Sequence, residues 1–166
     1  MRIGDREASE AKVVEVELDN GVQVTMHALP YGFVNDVESW LPVPAPKVVG
    51  FMREKGKFVR DENGKPCPLY AESNPEGDAV ELLRVMVLLW RAMRDDPSVQ
   101  FSTLEPEGGI SKENARAFAE GIKSEFDAFQ MTAPDFRALS NAVPELTGVT
   151  EEEVEAMKAA RFSRVG

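Results

Sequence analysis

The stretch Asn74–Arg94 reads NPEGDAVELLRVMVLLWRAMR and contains the longest uninterrupted apolar run of the chain, Val85–Trp90. Between residues 79 and 93 its polar side chains are Glu81, Arg84 and Arg91. At helical spacing these three fall on one narrow side, which leaves most of the circumference apolar. We therefore expect a core helix that is buried nearly all round.

Both ends of this helix carry recognisable signals. Ser73 or Asn74 offers an N-cap oxygen, and Pro75 suits the first helical position because an N–H there has no helical partner. The sequence Asp95-Asp96-Pro97 ends the helix. The apolar run is far shorter than the roughly 20 residues that span a bilayer, so we expect no membrane anchor.

Composition is typical of a globular protein of about one domain. The chain has 166 residues, of which 43% are hydrophobic and 29% are charged. Its formal net charge of -10 repels phosphate backbones and anionic lipids, so nucleic acid and membrane are poor partner hypotheses. The N-terminus MRIGDRE lacks the apolar segment of a secretory signal, and we expect a cytoplasmic protein, in the host cytoplasm if it is viral.

The N-terminal region has the pattern of a β-hairpin. Apolar and polar residues alternate over 12–18 and 22–29, on both sides of Asn20-Gly21. Asn and Gly accept the positive φ angles of a tight primed turn. Because a lone hairpin is marginally stable, we expect the face of Val14 and Val16, or that of Val24 and Met26, to pack on helices or on another chain.

The middle of the chain is broken by prolines and glycines. We expect a short helix over 30–41, an extended connector over 42–46, and one or two helical turns over 47–57, interrupted by Gly50 and Gly56. A turn over 61–65 is expected to join two short strands, Phe58-Val59 and Leu69-Tyr70, as a loose hairpin.

The C-terminal part predicts three further helices. The first begins near Ser111 and has about 18 residues by its apolar spacing. The second is capped by Thr132 and ends at about Val143, before Pro144, and the third runs from Thr150 to about Phe162. We therefore predict a mainly α fold of the α+β class, with a helical domain (30–166) around one buried central helix and an N-terminal hairpin region (1–29), all in a single domain.

The sequence contains no P-loop, G-x-G-x-x-G, G-x-S-x-G or H-E-x-x-H motif. The one histidine, His27, lies in a predicted strand, and the one cysteine, Cys67, lies between two prolines with no visible base nearby. One of each excludes an internal disulfide and a single-chain Cys/His zinc site. We expect a protein that is not an enzyme, with no catalytic residue, cofactor or metal. An acidic hydrolase site is the alternative that the 29 acidic residues leave open.

The chain contains more large apolar residues than a few short helices need in order to cover one core helix. Several lie in segments broken by proline or glycine, and exposed aromatic and methionine side chains form adaptable protein-binding surfaces. An irregular but complete core is the alternative interpretation, and oligomerisation is also compatible. The residues that we predict to meet a protein partner are Phe33, Trp40, Phe51, Met52 and Phe101.

Three motifs, taken in order, resemble the tail assembly chaperones of long-tailed bacteriophages. They are the hairpin Val13–Leu29, the turn DENGKPCPLY at Asp61–Tyr70 with the acidic-apolar helix after it, and the segment VPELTGVTEEEVEAM at Val143–Met157. The resemblance implies a small, acidic, mainly helical protein without enzymatic activity. Such proteins bind the tape measure protein and recruit tail-tube subunits during tail assembly.

Two functional hypotheses follow. In the first, the chain is an assembly chaperone whose apolar surface holds an aggregation-prone partner. In the second, it is a structural component of the virion, such as a neck, tail or capsid accessory protein, which docks by its hairpin and apolar surface. The first predicts a cytoplasmic protein and the second a protein of the mature particle.

Overall fold

The computed structural model describes residues 2–3, 6–7 and 12–148. These residues form a mixed α+β fold of four helices and short antiparallel strands. The predicted helix from Thr150 to about Phe162 lies outside the described residues. The helices are α1 (Phe33–Trp40), α2 (Pro75–Met93), α3 (Ala115–Ala128) and α4 (Ala133–Leu146). The strands are β1 (Arg2–Ile3), β2 (Arg6–Glu7), β3 (Val13–Glu17), β4 (Gln23–His27), β5 (Val48–Phe51), β6 (Arg53–Glu54), β7 (Lys57–Phe58) and β8 (Pro68–Tyr70).

The described strands form four two-stranded antiparallel sheets, β1–β2, β3–β4, β5–β8 and β6–β7. The chain divides into two compact units, which comprise residues 1–41 with 83–166, and residues 42–82. The boundary between the units falls inside α2. These bounds differ from the sequence-based division into 1–29 and 30–166.

The N-terminal hairpin forms where the alternation predicts it, with Val14 opposite Met26 and Val16 opposite Val24. Because directly opposite residues share a face, these side chains form one apolar face. Met26, Val24 and Val16 are buried there, and α4 packs against both strands. The hairpin therefore packs on a helix of its own chain.

The turn of this hairpin differs from the predicted primed turn. Gly21 has a φ of +81°, whereas Asn20 has no positive φ. The Gly21 N–H donates to the Leu18 carbonyl at 2.8 Å, and the Leu18 N–H donates to the Val22 carbonyl at 2.8 Å. This pattern is a three-residue loop in which glycine supplies the left-handed residue. The Asn20 side chain accepts the Val22 N–H at 3.0 Å, which holds that loop closed.

Helix α2 begins as its sequence predicts. The Asn74 side chain accepts the Gly77 N–H at 3.3 Å, so Asn74 rather than Ser73 is the N-cap. From residue 82 to residue 93 every position is buried or half-buried, and Val87 and Leu89 are fully buried. Trp90 packs edge-on against Phe118 of α3, with 4.8 Å between the ring centroids.

Helices α3 and α4 differ from the prediction at one end each. Helix α3 starts at Ala115 rather than Ser111, because the Asn114 side chain accepts the Ser111 N–H and holds residues 111–114 as a turn. Helix α4 is capped by Thr132, as predicted, but it continues past Val143 to Leu146 with Pro144 inside it. A proline so close to the end removes a single helical hydrogen bond, so the last turn persists.

The segment that follows α2 is attached to α3. The Glu125 carboxylate of α3 accepts the backbone N–H groups of Ser102 and Thr103. A β-carbon at Gly121 would lie 2.9 Å from the Thr103 methyl carbon, so the loop approaches the helix where the helix has no side chain. The Phe101 ring lies 6.1 Å from the Phe126 ring.

The prediction of helical turns over 47–57 is wrong, because these residues form β5, β6 and the start of β7. The expected turn over 61–65 is present, and the Asp61 side chain accepts the N–H groups of Asn63 and Lys65, both at 2.9 Å. The flanking residues Arg60 and Pro66 form a single bridge. The strand at Phe58, β7, pairs with β6, and the strand at Leu69-Tyr70, β8, pairs with β5, so these two strands do not pair with each other as predicted.

Candidate functional site

Residues 42–82 expose much apolar surface. No residue from 42 to 76 is buried. Seven large apolar side chains in the strands and their connections are each at least 43% exposed. We call this group the apolar β surface: Val48, Val49, Phe51, Met52, Phe58, Leu69 and Tyr70. Large apolar side chains exposed in this number within one short segment are typical of interaction sites.

A short hairpin places aromatic rings on this surface. Strands β6 and β7 pair Arg53 with Phe58 and are joined by Lys55 and Gly56, whose φ angles are 49° and 78°. Two consecutive positive φ angles define the primed turn that favours close hairpins. The Phe58 ring lies edge-on to Phe51 at 6.2 Å, and the Arg53 guanidinium lies 4.5 Å from the Phe58 centroid.

The charge of this surface is opposite to that of the chain as a whole. Five exposed basic side chains lie between residues 47 and 60, and Glu54 is the one acidic residue among them. The basic residues are Lys47, Arg53, Lys55, Lys57 and Arg60. On a chain of formal charge -10, this segment is both apolar and basic. Such a combination favours a partner that presents apolar groups flanked by carboxylates.

Two of the residues that the sequence predicts to meet a partner belong to this surface. Phe51 is 50% exposed and Met52 is 46% exposed. The backbone N–H of Met52 donates to the Cys67 carbonyl, and the Met52 carbonyl accepts the Val59 N–H. These two bonds fix Met52 between two chain segments.

Phe33 and Trp40, at the two ends of α1, form a separate pair. Their rings meet edge to face at 5.9 Å, and both side chains are half-buried. Val37 of the same helix and Leu41, which follows it, are buried. Arg84 of α2 donates to the Leu41 carbonyl at 2.7 Å, which attaches the end of α1.

Phe101 lies in the loop between α2 and α3, where its half-buried ring packs against Phe126. The five predicted partner-binding residues therefore lie in three local environments. Their role in binding stays a prediction.

Sequence reasoning missed five members of the apolar β surface: Val48, Val49, Phe58, Leu69 and Tyr70. The segment around Phe58, FMREKGKFVR, carries no strand alternation, because its apolar residues stand in adjacent pairs, Phe51-Met52 and Phe58-Val59, on the two sides of Lys55-Gly56. Gly56 in the middle of such a segment is compatible with a hairpin turn or with an interrupted helix, so the sequence does not point to these residues.

Two carboxylates with shifted pKa values hold backbone groups in place. Burial raises the pKa of Asp96, but hydrogen bonds from Ser98 and Thr25, with the charge of His27 nearby, lower it by more, so the pKa lies below the usual range for aspartate. Burial likewise raises the pKa of Glu125, and hydrogen bonds from Thr103 and Ser102 bring it below the usual range for glutamate.

The two residues singled out for reactivity, His27 and Cys67, are half-buried. Within residues 12–148, no three His, Cys, Asp or Glu side chains are grouped so that they could hold a metal ion. Among the same residues, no helix is long and apolar enough to cross a membrane.

Comparisons of this chain with protein families, with curated proteins and with solved structures found no match.

Proposed function

We propose that this chain acts by binding another protein rather than by catalysis, and that the apolar β surface is where the partner docks. The observation that carries the proposal is the exposure of seven large apolar side chains in a segment where no residue from 42 to 76 is buried. Removing such side chains from water on association supplies the main favourable free energy of most protein complexes.

The more specific proposal is a role in bacteriophage tail assembly, as a tail assembly chaperone. It is supported by the sequence resemblance over Val13–Leu29, Asp61–Tyr70 and Val143–Met157. In this role the partner is the tape measure protein or the tail-tube subunit, and the chain works in the host cytoplasm. We also propose that α2 is the central helix of the fold, supported by its residues from 82 to 93, all of which are buried or half-buried.

Co-expression with the tape measure protein encoded in the same genome tests the proposal. We expect the wild-type chain to keep this partner soluble and to co-purify with it, and the variant Phe51→Ser/Met52→Ser to lose both effects. Both residues are about half exposed, so the variant should remain folded.

A matched control replaces two exposed apolar residues outside the apolar β surface, as Tyr31→Ser/Leu104→Ser. This control should bind like the wild type. If the control and the Phe51→Ser/Met52→Ser variant lose binding equally, the placement of the docking surface is wrong. Trp40→Ala and Phe101→Ala, measured in the same way, test the other predicted partner residues.

A structural virion component is the second candidate, favoured by the outer edge of β3, where the N–H groups of Val13, Glu15 and Glu17 have no acceptor among the described residues. Mass spectrometry of purified particles separates the two candidates. A chaperone should be absent from them, whereas a structural component should be present in a fixed copy number. Presence in fixed copy number would reject the chaperone role.

A further inference from the structure

The two edges of the N-terminal hairpin are not equivalent. The Leu18 N–H donates to the Val22 carbonyl at 2.8 Å, and the Ala28 N–H donates to the Lys12 carbonyl at 2.9 Å. In an antiparallel pair, residues alternate between bonding their partner and pointing their N–H and C=O groups away from it. Counting from these two bonds, the outward groups of β3 belong to Val13, Glu15 and Glu17.

The outer edge of β4 is closed by a buried carboxylate. Thr25 lies opposite Glu15, so its N–H points away from β3, and Asp96 Oδ2 accepts that N–H at 2.6 Å. Asp96 is 5% exposed, and its other oxygen accepts the Ser98 N–H and hydroxyl at 2.8 and 2.7 Å. An incoming strand cannot pair at Thr25 without displacing this charge from its donors.

The outer edge of β3 has no such cover in the part of the chain that the structure describes. Over 2–3, 6–7 and 12–148, no group accepts a hydrogen bond from the N–H of Val13, Glu15 or Glu17. The three side chains are exposed. Unpaired strand edges are templates for adding a strand from another chain.

The hairpin is held in place before any partner arrives. Asp135 Oδ1 of α4 accepts the Asp19 N–H in the turn at 2.8 Å, and the Leu29 N–H donates to the Leu146 carbonyl at 3.0 Å. These bonds fix both ends of the hairpin, and its apolar face is buried. A partner strand therefore meets an edge that is already ordered, which reduces the entropy cost of binding.

Charge identifies the kind of strand that fits. If two copies paired antiparallel through the full length of β3, Glu15 of one would lie opposite Glu15 or Glu17 of the other. Like charges directly opposite each other in a sheet are destabilising, whereas opposite charges are stabilising. The edge therefore disfavours β3 of a second copy and favours a strand with lysine or arginine at every second position.

We propose that the outer edge of β3 binds an extended basic segment of a different protein, which adds as a strand and places lysine or arginine opposite Glu15 and Glu17. This inference relies on the proposed function in one respect, that the chain binds proteins, and it uses a surface other than the apolar β surface.

The probe is a synthetic peptide, acetyl-Thr-Lys-Val-Lys-Val-Lys-Thr-amide, measured by isothermal calorimetry with the full-length protein. We expect saturable binding. The same peptide, N-methylated at the amides that face β3, should bind about tenfold more weakly or worse, because methylation removes backbone hydrogen bonds and keeps the charge. Equal binding of both peptides would overturn the proposal.

Protein variants separate edge pairing from general attraction to an acidic chain. Glu15→Lys/Glu17→Lys should abolish binding, whereas Glu107→Lys/Glu113→Lys, with the same net charge and two exposed glutamates outside the hairpin, should bind like the wild type. Equal loss in both variants would mean that the peptide responds to net charge alone, and would also overturn the proposal.

A proline variant tests the backbone directly. Glu15→Pro removes an outward N–H and leaves the bonds to β4 intact, so it should bind more weakly than Glu15→Gln. Circular dichroism checks that both variants fold. If Glu15→Pro does not fold, the comparison of the methylated and unmethylated peptides on the wild-type protein tests whether the peptide pairs with the β3 backbone. If the wild-type protein does not bind the peptide but the Phe51→Ser/Met52→Ser variant loses its protein partner as expected, this inference is wrong and the proposed function stands.

Discussion

Asp96 Oδ2 accepts a hydrogen bond of 2.6 Å from the backbone N–H of Thr25, which is 71 residues earlier in the chain. The bond joins the end of α2 to the outer edge of β4. Because Asp96 also accepts two hydrogen bonds from Ser98, its buried charge is stabilised by three hydrogen bonds within the protein. This carboxylate fixes the position of the hairpin and closes one of its two edges.

Replacing this carboxylate should destabilise the fold. Asp96→Asn removes the charge and places an amide group where an oxygen accepts backbone N–H donors, and we expect a loss of about 2 kcal/mol in the free energy of unfolding. Urea denaturation followed by circular dichroism measures it. Asp95→Asn is the control, because Asp95 is 54% exposed and its ion pair with Arg91 should contribute less than about 1 kcal/mol. Equal losses of unfolding free energy in Asp96→Asn and Asp95→Asn would contradict the stabilising role of Asp96.

Stability should fall in acid. The folded pKa values of Asp96 and Glu125 lie below their unfolded values, so the folded state binds fewer protons. Their stabilisation is complete above the unfolded pKa of about 4 and is lost as the pH falls through the folded pKa. Denaturation midpoints between about pH 7 and about pH 3 should drop more steeply in the wild type than in Asp96→Asn/Glu125→Gln. The same acid slope in both proteins would exclude these two groups.

Gly121→Ala should destabilise the chain even though alanine favours helices by about 1 kcal/mol over glycine. The new methyl group would lie 2.9 Å from the Thr103 methyl carbon and 3.2 Å from its hydroxyl, and we expect a net loss of about 1 kcal/mol. Thr103→Ala removes both atoms, so the double variant should recover stability, with a coupling energy above about 0.5 kcal/mol. Additive losses in this double-mutant cycle would show that the two residues do not collide.

Lys55→Asn should stabilise the β6–β7 hairpin. Lys55 has a φ of 49°, a conformation that costs most L residues about 1 kcal/mol and that asparagine accepts more readily. We expect slower hydrogen exchange of the amides in Arg53–Phe58. Lys57→Asn, which removes the same charge from a strand position, should not slow the exchange. If the two variants behave alike, the backbone argument does not hold.

Local signals in the sequence were sufficient for the parts of the fold whose causes lie within a few residues. The N-caps Asn74 and Thr132 accept hydrogen bonds from N–H groups three residues later, as their positions predict. The apolar periodicity of α2 predicts burial nearly all round, and the structure shows burial or half-burial over 82–93 but exposes five of the seven residues over 75–81. The end of α4 was not predicted correctly at Pro144, because whether a proline ends a helix depends on how much of the helix remains after it.

The strands over 47–70 could not be predicted in the same way. Each is two to four residues long, and its stability comes from a partner strand. That partner is two residues away for β6 and β7 and much further along the chain for β5 and β8. A short apolar segment next to glycine is compatible with either a helical turn or a strand until that partner is known. The exposure of the apolar β surface could not be predicted for the same reason.

The sequence by itself determined the elements whose hydrogen bonds and periodicity are local: the hairpin around Asn20-Gly21, helix α2, and the capped starts of α2 and α4. Only the tertiary structure decided which apolar residues are covered, since Met26 is buried and Phe51 is half exposed although both lie in short strands. It also decided that Asp96 and Asp135 hold the hairpin from 71 and 116 residues away. The physical reason is that burial and long-range hydrogen bonds depend on which distant segments the folded chain brings into contact, and spacing along the sequence does not record this.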